Sequence, residues 1–228
     1  MRNVIVAAFV SLDGVMQAPG GPQEDPSGGF AHGGWTAPYW DEAAAAAMDE
    51  LFSAPFDLLL GRRTYDIFAA HWPYVDTDPA SDGFDRVNAG IAETFNRVTK
   101  HVATEWPDGL SWRNSRGLGG DVVAALRALK REEGPNLLVQ GSSELIQTLL
   151  AHDLVDMLRL LVYPLVLGRG KRLFGDGTMP AALRLTRATA TPSGVLILGY
   201  ERAGDVRTGS FAPETPSPAE LDRRKGLA

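Results

Sequence analysis

The chain has 228 residues, 28 acidic against 22 basic, for a formal charge of −6 at pH 7. That balance argues against a nucleic-acid partner, whose footprint is usually basic, and the absence of cysteine excludes disulfides, thiol nucleophiles, Cys-ligated zinc and iron–sulfur clusters. A hydrophobic share of 44% and a charged share of 22% describe an ordinary globular chain, whose 25 glycines and 15 prolines are unevenly spread.

Met1-Arg2-Asn3 precedes only a short apolar run, residues 4–10. It is too short for a secretory signal, and no stretch approaches the roughly 18 apolar residues of a membrane span, so a cytoplasmic protein with no membrane partner is expected. Bounded by Ser11-Leu12-Asp13-Gly14, the run reads as a strand buried on both faces. Residues 17–38 are rich in Gly and Pro and have no period. Asp41 is placed to cap a helix over residues 42–53. Residues 56–60 form a second buried strand, followed after Gly61 by a helix over 64–71 that Trp72-Pro73 stops. A helix over 84–95, a third strand over 98–103 and a short fourth strand over 110–114 come next. Residues 121–131 set Val122, Val123, Leu126 and Leu129 at helical spacing, and Gly134-Pro135 ends that helix. Residues 136–140 read as a strand, and Gly141-Ser142-Ser143-Glu144 opens a helix over 145–151. A strand over 157–162 closes at Pro164. Residues 183–191 and 195–201 read as a terminal hairpin turned by Pro192-Ser193-Gly194. One domain over 1–203 is expected, with 204–228 a polar, Pro-rich, disordered tail.

Strands alternating with helices predict an α/β fold, a mostly parallel central sheet with helices on both faces and a C-terminal antiparallel hairpin. Ligands of such sheets sit beyond the carboxyl ends of the strands. Attention therefore falls on the loops after Val10, Leu60, Val102 and Gln140.

Gly61-Arg62-Arg63-Thr64 follows an apolar strand directly. A helix N-terminus offers free N–H groups and partial positive charge, Gly61 lets a ligand approach the backbone, and two arginines supply forked donors suited to phosphate. The same residues also describe a plain glycine turn with solvated arginines. Gln140-Gly141-Ser142-Ser143-Glu144 repeats the arrangement, an anion-binding geometry or an ordinary strand-to-helix turn. Two such loops on one sheet edge suit a ligand with several phosphates, which favours a dinucleotide.

Taken in order, Ser11-Leu12-Asp13-Gly14, Leu60-Gly61-Arg62-Arg63-Thr64-Tyr65, Val139-Gln140-Gly141-Ser142, Leu154-Val155-Asp156 and residues 164–174 resemble the dihydrofolate reductase-like superfamily. The nearer likeness is to the C-terminal reductase domain of the bifunctional riboflavin-biosynthesis deaminase/reductase, over roughly residues 1–202. The resemblance implies an NADPH-dependent reductase and a homodimer. It implies that Gly61, Arg62, Arg63 and Thr64 contact the adenosine-side phosphates. Ala103 and Thr104 would flank the adenine ribose with its 2′-phosphate, and Gln140, Gly141, Ser142, Ser143 and Glu144 the pyrophosphate. Ala8, Val15 and Met16 would lie near the nicotinamide.

Two departures bear on the substrate. The helix carboxylate of dihydrofolate reductase falls near Ala45, inside an alanine run, and Ser142 replaces the second glycine of the family's paired-glycine loop. The substrate expected is therefore not dihydrofolate but a related nitrogen heterocycle: a ribosylaminopyrimidine of the riboflavin pathway, as in a 5-amino-6-(5-phosphoribosylamino)uracil reductase, a pterin or a flavin-like ring. Hydride chemistry belongs to the cofactor, so the proton source stays open among water, a substrate group, Asp13 and Asp41. The alternative is a non-catalytic nucleotide- or flavin-binding protein that kept the fold.

Trp35, Tyr39 and Trp40 in the Gly-rich segment, with Asp49 on the following helix, are candidate substrate contacts. The segment reads either as a lid whose rings stack on a planar ligand or as a loop that its aromatics anchor. Gly168-Arg169-Gly170-Lys171-Arg172 is a basic turn, able to hold a phosphate or merely to carry solvated charge. The four histidines show no metal-ligand spacing, and no metal site is assigned.

Overall fold

Apolar runs build the centre of the molecule, and the computed structural model describes residues 1–212 and 215–226. Val4–Ser11 forms β1, Phe56–Gly61 β2, Asn136–Val139 β5 and Met157–Tyr163 β6. Lys100–Ala103 (β3) and Ser115–Gly117 (β4) extend one side. Leu183–Ala190 (β7) and Leu196–Arg202 (β8) extend the other. The strand order is β4-β3-β2-β5-β1-β6-β8-β7. All pairings from β4 to β6 are parallel, and those of β6 with β8 and of β8 with β7 are antiparallel. The expected α/β architecture, with its antiparallel hairpin, is present.

The pleat of β1 divides the core. Val4, Val6, Ala8 and Val10 pack against Leu126 and Leu129 of α4 (Val122–Arg131) and Leu145, Ile146 and Leu149 of α5 (Ser143–Ala151). Ile5, Ala7 and Phe9 face the other way. On that side lie α1 (Glu42–Ser53), α2 (Arg62–Ala69) and α3 (Arg86–Arg97), which bring Phe52, Tyr65 and Phe95 onto the sheet. Each of α1, α3, α4 and α5 starts at a polar side chain that accepts a free N–H of the first turn: Asp41, Asp85, Asp121 and Ser142. Within the Leu154-Val155-Asp156 motif, the Asp156 carboxylate accepts the Val4 N–H at 2.7 Å and ties the start of β6 to the start of β1.

Three local expectations are corrected. The strand predicted over 110–114 is not one. Trp112 is buried, its backbone N–H donates to the Tyr65 hydroxyl at 2.8 Å, and its ring lies under the buried Lys100 ammonium. The strand that pairs with β3 is the polar Ser115–Gly117 instead. The helix predicted from residue 64 begins at Arg62, so both arginines belong to its first turn. The tail expected to be disordered carries α6 (Pro218–Lys225), capped by Ser217 and laced by Glu220 to Arg223 and Arg224; residues 213, 214, 227 and 228 lie outside the described residues. Among the described residues, no helix is long and apolar enough to cross a membrane.

Candidate active site

The two phosphate-loop candidates meet at the carboxyl edge of the parallel sheet. β2 and β5 are direct neighbours, so the turns that follow them lie side by side. The Gly61 N–H donates to the Gly141 carbonyl oxygen at 3.2 Å. A Cβ on Gly61 would sit 2.9 Å from the Ser142 Cβ, and one on Gly141 would sit 2.5 Å from the Thr64 Oγ1. Glycine at both positions is thus a packing requirement, and at Gly141 φ is +151° as well. α2 and α5 begin at these turns, with Gly61 and Ser142 as their first flanking residues, so the free N–H groups of both first turns lie near this edge. Ser142 caps α5, Ser143 sits in its first turn, and Glu144 is exposed.

The side chains around this edge are partly committed. Arg62 donates from Nε to Asp66 at 2.8 Å and reaches the Trp106 carbonyl at 3.4 Å, which links α2 to the loop after β3. Arg63 is more exposed and leans toward Ser27 at 3.3 Å and Asp25 at 3.9 Å. Thr104 is buried next to the half-buried Ala103, and its hydroxyl accepts the Trp106 N–H at 3.1 Å. Trp106 itself is 75% exposed beside Arg62. These groups fit a polyanionic dinucleotide: two helix N-termini, glycine backbone with no room for side chains, and an arginine held by single contacts at the rim.

Asp13 and Asp41 do not fit the role of proton donor. Asp13 accepts the Ser11 hydroxyl at 2.6 Å and the N–H groups of Leu167 and Gly168 at 3.1 and 2.8 Å. The Ser11 hydrogen bond foremost, with those N–H groups, holds its carboxyl down to about 2. Asp41 accepts the Ala44 N–H at 2.9 Å and the Ser193 N–H at 3.1 Å, and the helix-cap bond holds it down to about 2 as well. Both are ionised structural acceptors. Arg172 and Lys171 of the basic turn pair with Asp13 and Asp25, so that turn clamps the Gly-rich segment.

The same segment is anchored rather than lid-like. Trp35 is buried, donates from Nε1 to the Gln17 carbonyl at 2.8 Å and packs edge-on to Tyr163. It is not available to stack on a substrate, a correction to the sequence expectation. Tyr39 is half-buried against Tyr163, whereas Trp40 stays 44% exposed with its edge on Phe9. Asp49 is exposed on α1. Val15 and Met16 are buried, Val15 bridging to Arg172 and Met16 donating to the Lys171 carbonyl, while Ala8 reaches the cleft described next.

That cleft, of about 470 Å³, lies between α1 and the sheet, within the range of small-molecule sites. The alanines of α1 leave room for it, and Ala7, Phe9, Met48, Leu51, Gln140 and Arg159 are on its walls. Gln140 belongs to both regions. It precedes Gly141 in the second glycine turn and is also on the cleft wall, while its Oε1 is buried with no hydrogen-bond partner among the described residues. The resemblance implies a pyrophosphate contact for Gln140, and the sequence assigns no role to Arg159, which the fold brings to the same cleft. The signal available for Arg159 was a lone cation in the alternation Met157, Arg159, Leu161 of a buried strand. No group of three or more His, Asp or Glu side chains among the described residues is arranged to hold a metal.

The profile of the RibD C-terminal domain matches residues 2–197. The uncharacterized protein YyaP of Bacillus subtilis is 23% identical over 208 residues, covering 89% of this chain and 96% of that one. Among solved structures, the diaminohydroxyphosphoribosylaminopyrimidine deaminase/5-amino-6-(5-phosphoribosylamino)uracil reductase of Thermotoga maritima superposes with a TM-score of 0.53 at 15% identity, over 89% of this chain and 57% of that one. Dihydrofolate reductase of Enterococcus faecalis, complexed with NADP(H), superposes at 0.52 with 13% identity, over 88% and 96%. At these identities the structures speak to the fold, which is dihydrofolate reductase-like. With the domain profile spanning nearly the whole sheet, the chain belongs to the RibD C-terminal domain family.

Proposed function

We propose that the protein is an NADPH-dependent oxidoreductase that reduces a nitrogen heterocycle, a ribosylaminopyrimidine, pterin or flavin-like ring. One observation carries this reading: the Gly61 and Gly141 turns abut, and Gln140, which joins the end of β5 at Val139 to the second of them, also lines the cleft. A cofactor held on these turns would therefore lie next to the cleft. The family relation and the NADP(H)-bound neighbour support the same reading. NADPH supplies a hydride when bound.

The chain's own work is to bind, orient and exclude water. The N-termini of α2 and α5 and the Arg62 guanidinium would hold the phosphates. Ala8 and Gln140 are among the residues that line the cleft. The acid on the cleft wall is Glu50, and it is paired with Arg187. With Asp13 and Asp41 held ionised, the proton that follows hydride comes from water or from the substrate itself.

The test is NADPH oxidation against a panel of pterins, flavins and aminopyrimidines, with product identified. Turnover of one class supports the reading. Binding of NADPH without turnover of any would favour the second reading, a nucleotide- or flavin-binding protein, for which the alanine at position 45 speaks.

A further inference from the structure

Two arginines meet over one glycine at the hairpin end of the cleft. Arg159 of β6 pairs with Gly199 of β8, and Gly199 pairs with Arg187 of β7. Residues level with one another on adjacent strands face the same way, here toward the cleft, which both arginines line. The glycine makes this possible. A Cβ on Gly199 would sit 2.8 Å from the Thr186 Oγ1, 2.9 Å from the Arg159 Nη1 and 3.2 Å from the Arg187 Cβ. The Arg159 guanidinium thus lies over bare backbone, turned toward the hairpin.

A bulge adds the third group. The β7–β8 register shifts between Leu185 and Arg187, so Thr186 is the extra residue. A bulge re-aims its side chains, and Thr186 stands beside Arg187 on the cleft wall.

The positive charge gathered here is only partly answered. Arg159 is half-buried, and among the described residues it has no ion pair. Its contacts are the Leu158 carbonyl and the Thr186 hydroxyl, both at 3.4 Å, and the Met157 sulfur at 3.9 Å, all neutral and all longer than ordinary bonds. Arg187 is paired with Glu50 of α1, but the Glu50 side chain is 66% exposed. Such a pair is weak, which leaves Arg187 free to exchange Glu50 for another anion.

We propose that Arg159, Thr186 and Arg187 form an oxyanion site at the hairpin end of the cleft, and that it takes the phosphomonoester of a ligand whose planar ring lies nearer β1. Two forked donors and a hydroxyl suit a tetrahedral dianion better than a carboxylate, which one fork satisfies. Gly199 lies two strands from Ala7 of β1, about 10 Å away by strand spacing. That is farther than a group bonded directly to a ring extends, and it fits a sugar or polyol chain between ring and phosphate. The proposal deepens the reductase reading and rests on it in taking the cleft as the substrate site. It makes Arg159 a specificity residue, since an unphosphorylated ligand leaves the guanidinium without its partner.

Two probe pairs differ only in such a phosphate: flavin mononucleotide with riboflavin, and uridine 5′-monophosphate with uridine. Binding of all four to the full chain is measured by calorimetry, with and without saturating NADPH. The phosphorylated member of at least one pair should bind tighter than its partner by roughly tenfold or more. Arg159→Met should erase that preference and leave the unphosphorylated ligand bound as in the parent. Arg159→Lys should keep part of the preference, and Glu50→Gln, which releases Arg187, should increase it. Thermal melts verify that each variant folds. A phosphate preference in neither pair would overturn the site, as would an unchanged preference in Arg159→Met, which would put the phosphate elsewhere. Equal loss of both members of a pair in Arg159→Met would overturn it too, by reducing Arg159 to a structural role. The NADPH-induced melting shift is read in the same samples. If it is present while the phosphate preference is absent, the oxyanion site alone fails; if it is absent while an Arg159-dependent preference is present, the reductase reading alone fails.

Discussion

Gly61 and Gly141 stand back to back, the N–H of the first donating to the carbonyl oxygen of the second at 3.2 Å. Neither has room for a methyl group. Gly61→Ala would drive its Cβ to 2.9 Å from the Ser142 Cβ and 3.1 Å from the Ser142 nitrogen, displacing the cap of α5. We expect urea denaturation to show a loss of about 1–3 kcal/mol, as for overpacked sites, together with loss of the NADPH-induced stabilisation. Gly90 is the control. It lies inside α3 with open space around it, so Gly90→Ala should stabilise by about 0.4–1 kcal/mol. Equal effects at both positions would contradict the packed-turn description.

Arg62 separates binding from folding. Its ion pair with Asp66 is an exposed i,i+4 contact, worth only about 0.3–0.5 kcal/mol. Arg62→Ala should therefore leave the urea midpoint nearly unchanged. Loss of a charge-assisted contact to phosphate should weaken NADPH by roughly tenfold or more. Unchanged NADPH affinity would take this residue out of the cofactor site.

Asp13 gives the protein an acid-sensitive clamp. Its carboxyl is lowered from 3.8 to about 2, chiefly by the Ser11 hydroxyl. A depressed carboxylate stabilises the fold fully above its unfolded value, and the contribution fades as pH falls through the folded value. Asp13→Asn should be less stable than the parent at pH 7, and the gap should close between about pH 4 and pH 2. A gap that stays constant over that range, followed by denaturant midpoints, would show that the carboxylate charge is irrelevant there.

β7 is an outer strand of eight residues with Leu183 and Leu185 exposed at 43% and 52%. Such an edge invites pairing with another chain. On this ground we propose that two copies associate through the β7–β8 hairpin. Light scattering should give twice the chain mass, and Leu185→Lys, which puts charge on that strand, should shift the protein toward monomer. A monomer at all concentrations tested would contradict this.

The fold was legible wherever burial on both faces left a continuous apolar run, as in β1, β2, β5 and β6. It was not legible at Ser115–Gly117, whose pairing comes from the free edge of β3 and not from its own side chains. Trp112 misled in the opposite sense: the alternation of Leu110 and Trp112 mimics a strand, but that indole packs under a lysine. The glycine turns could be read because strand-end glycines have few other uses. The presence of both Gln140 and Arg159 on the cleft wall could not, because it depends on β6 lying beside β1, a long-range pairing that no local pattern encodes. Trp35 belonged to a segment whose composition allowed either a lid or an anchor, and only its bond to the Gln17 carbonyl decides for the anchor.

The most direct test of the central proposal is the melting temperature of the protein with saturating NADPH and, separately, NADH. A ligand bound only by the native state at a hundred times its dissociation constant adds about 2.7 kcal/mol. The prediction is a clear upward shift with NADPH, larger than with NADH because of the arginines beside the adenosine end, and lost in Gly61→Ala. No shift with either nucleotide would contradict the assignment of these turns as a dinucleotide site.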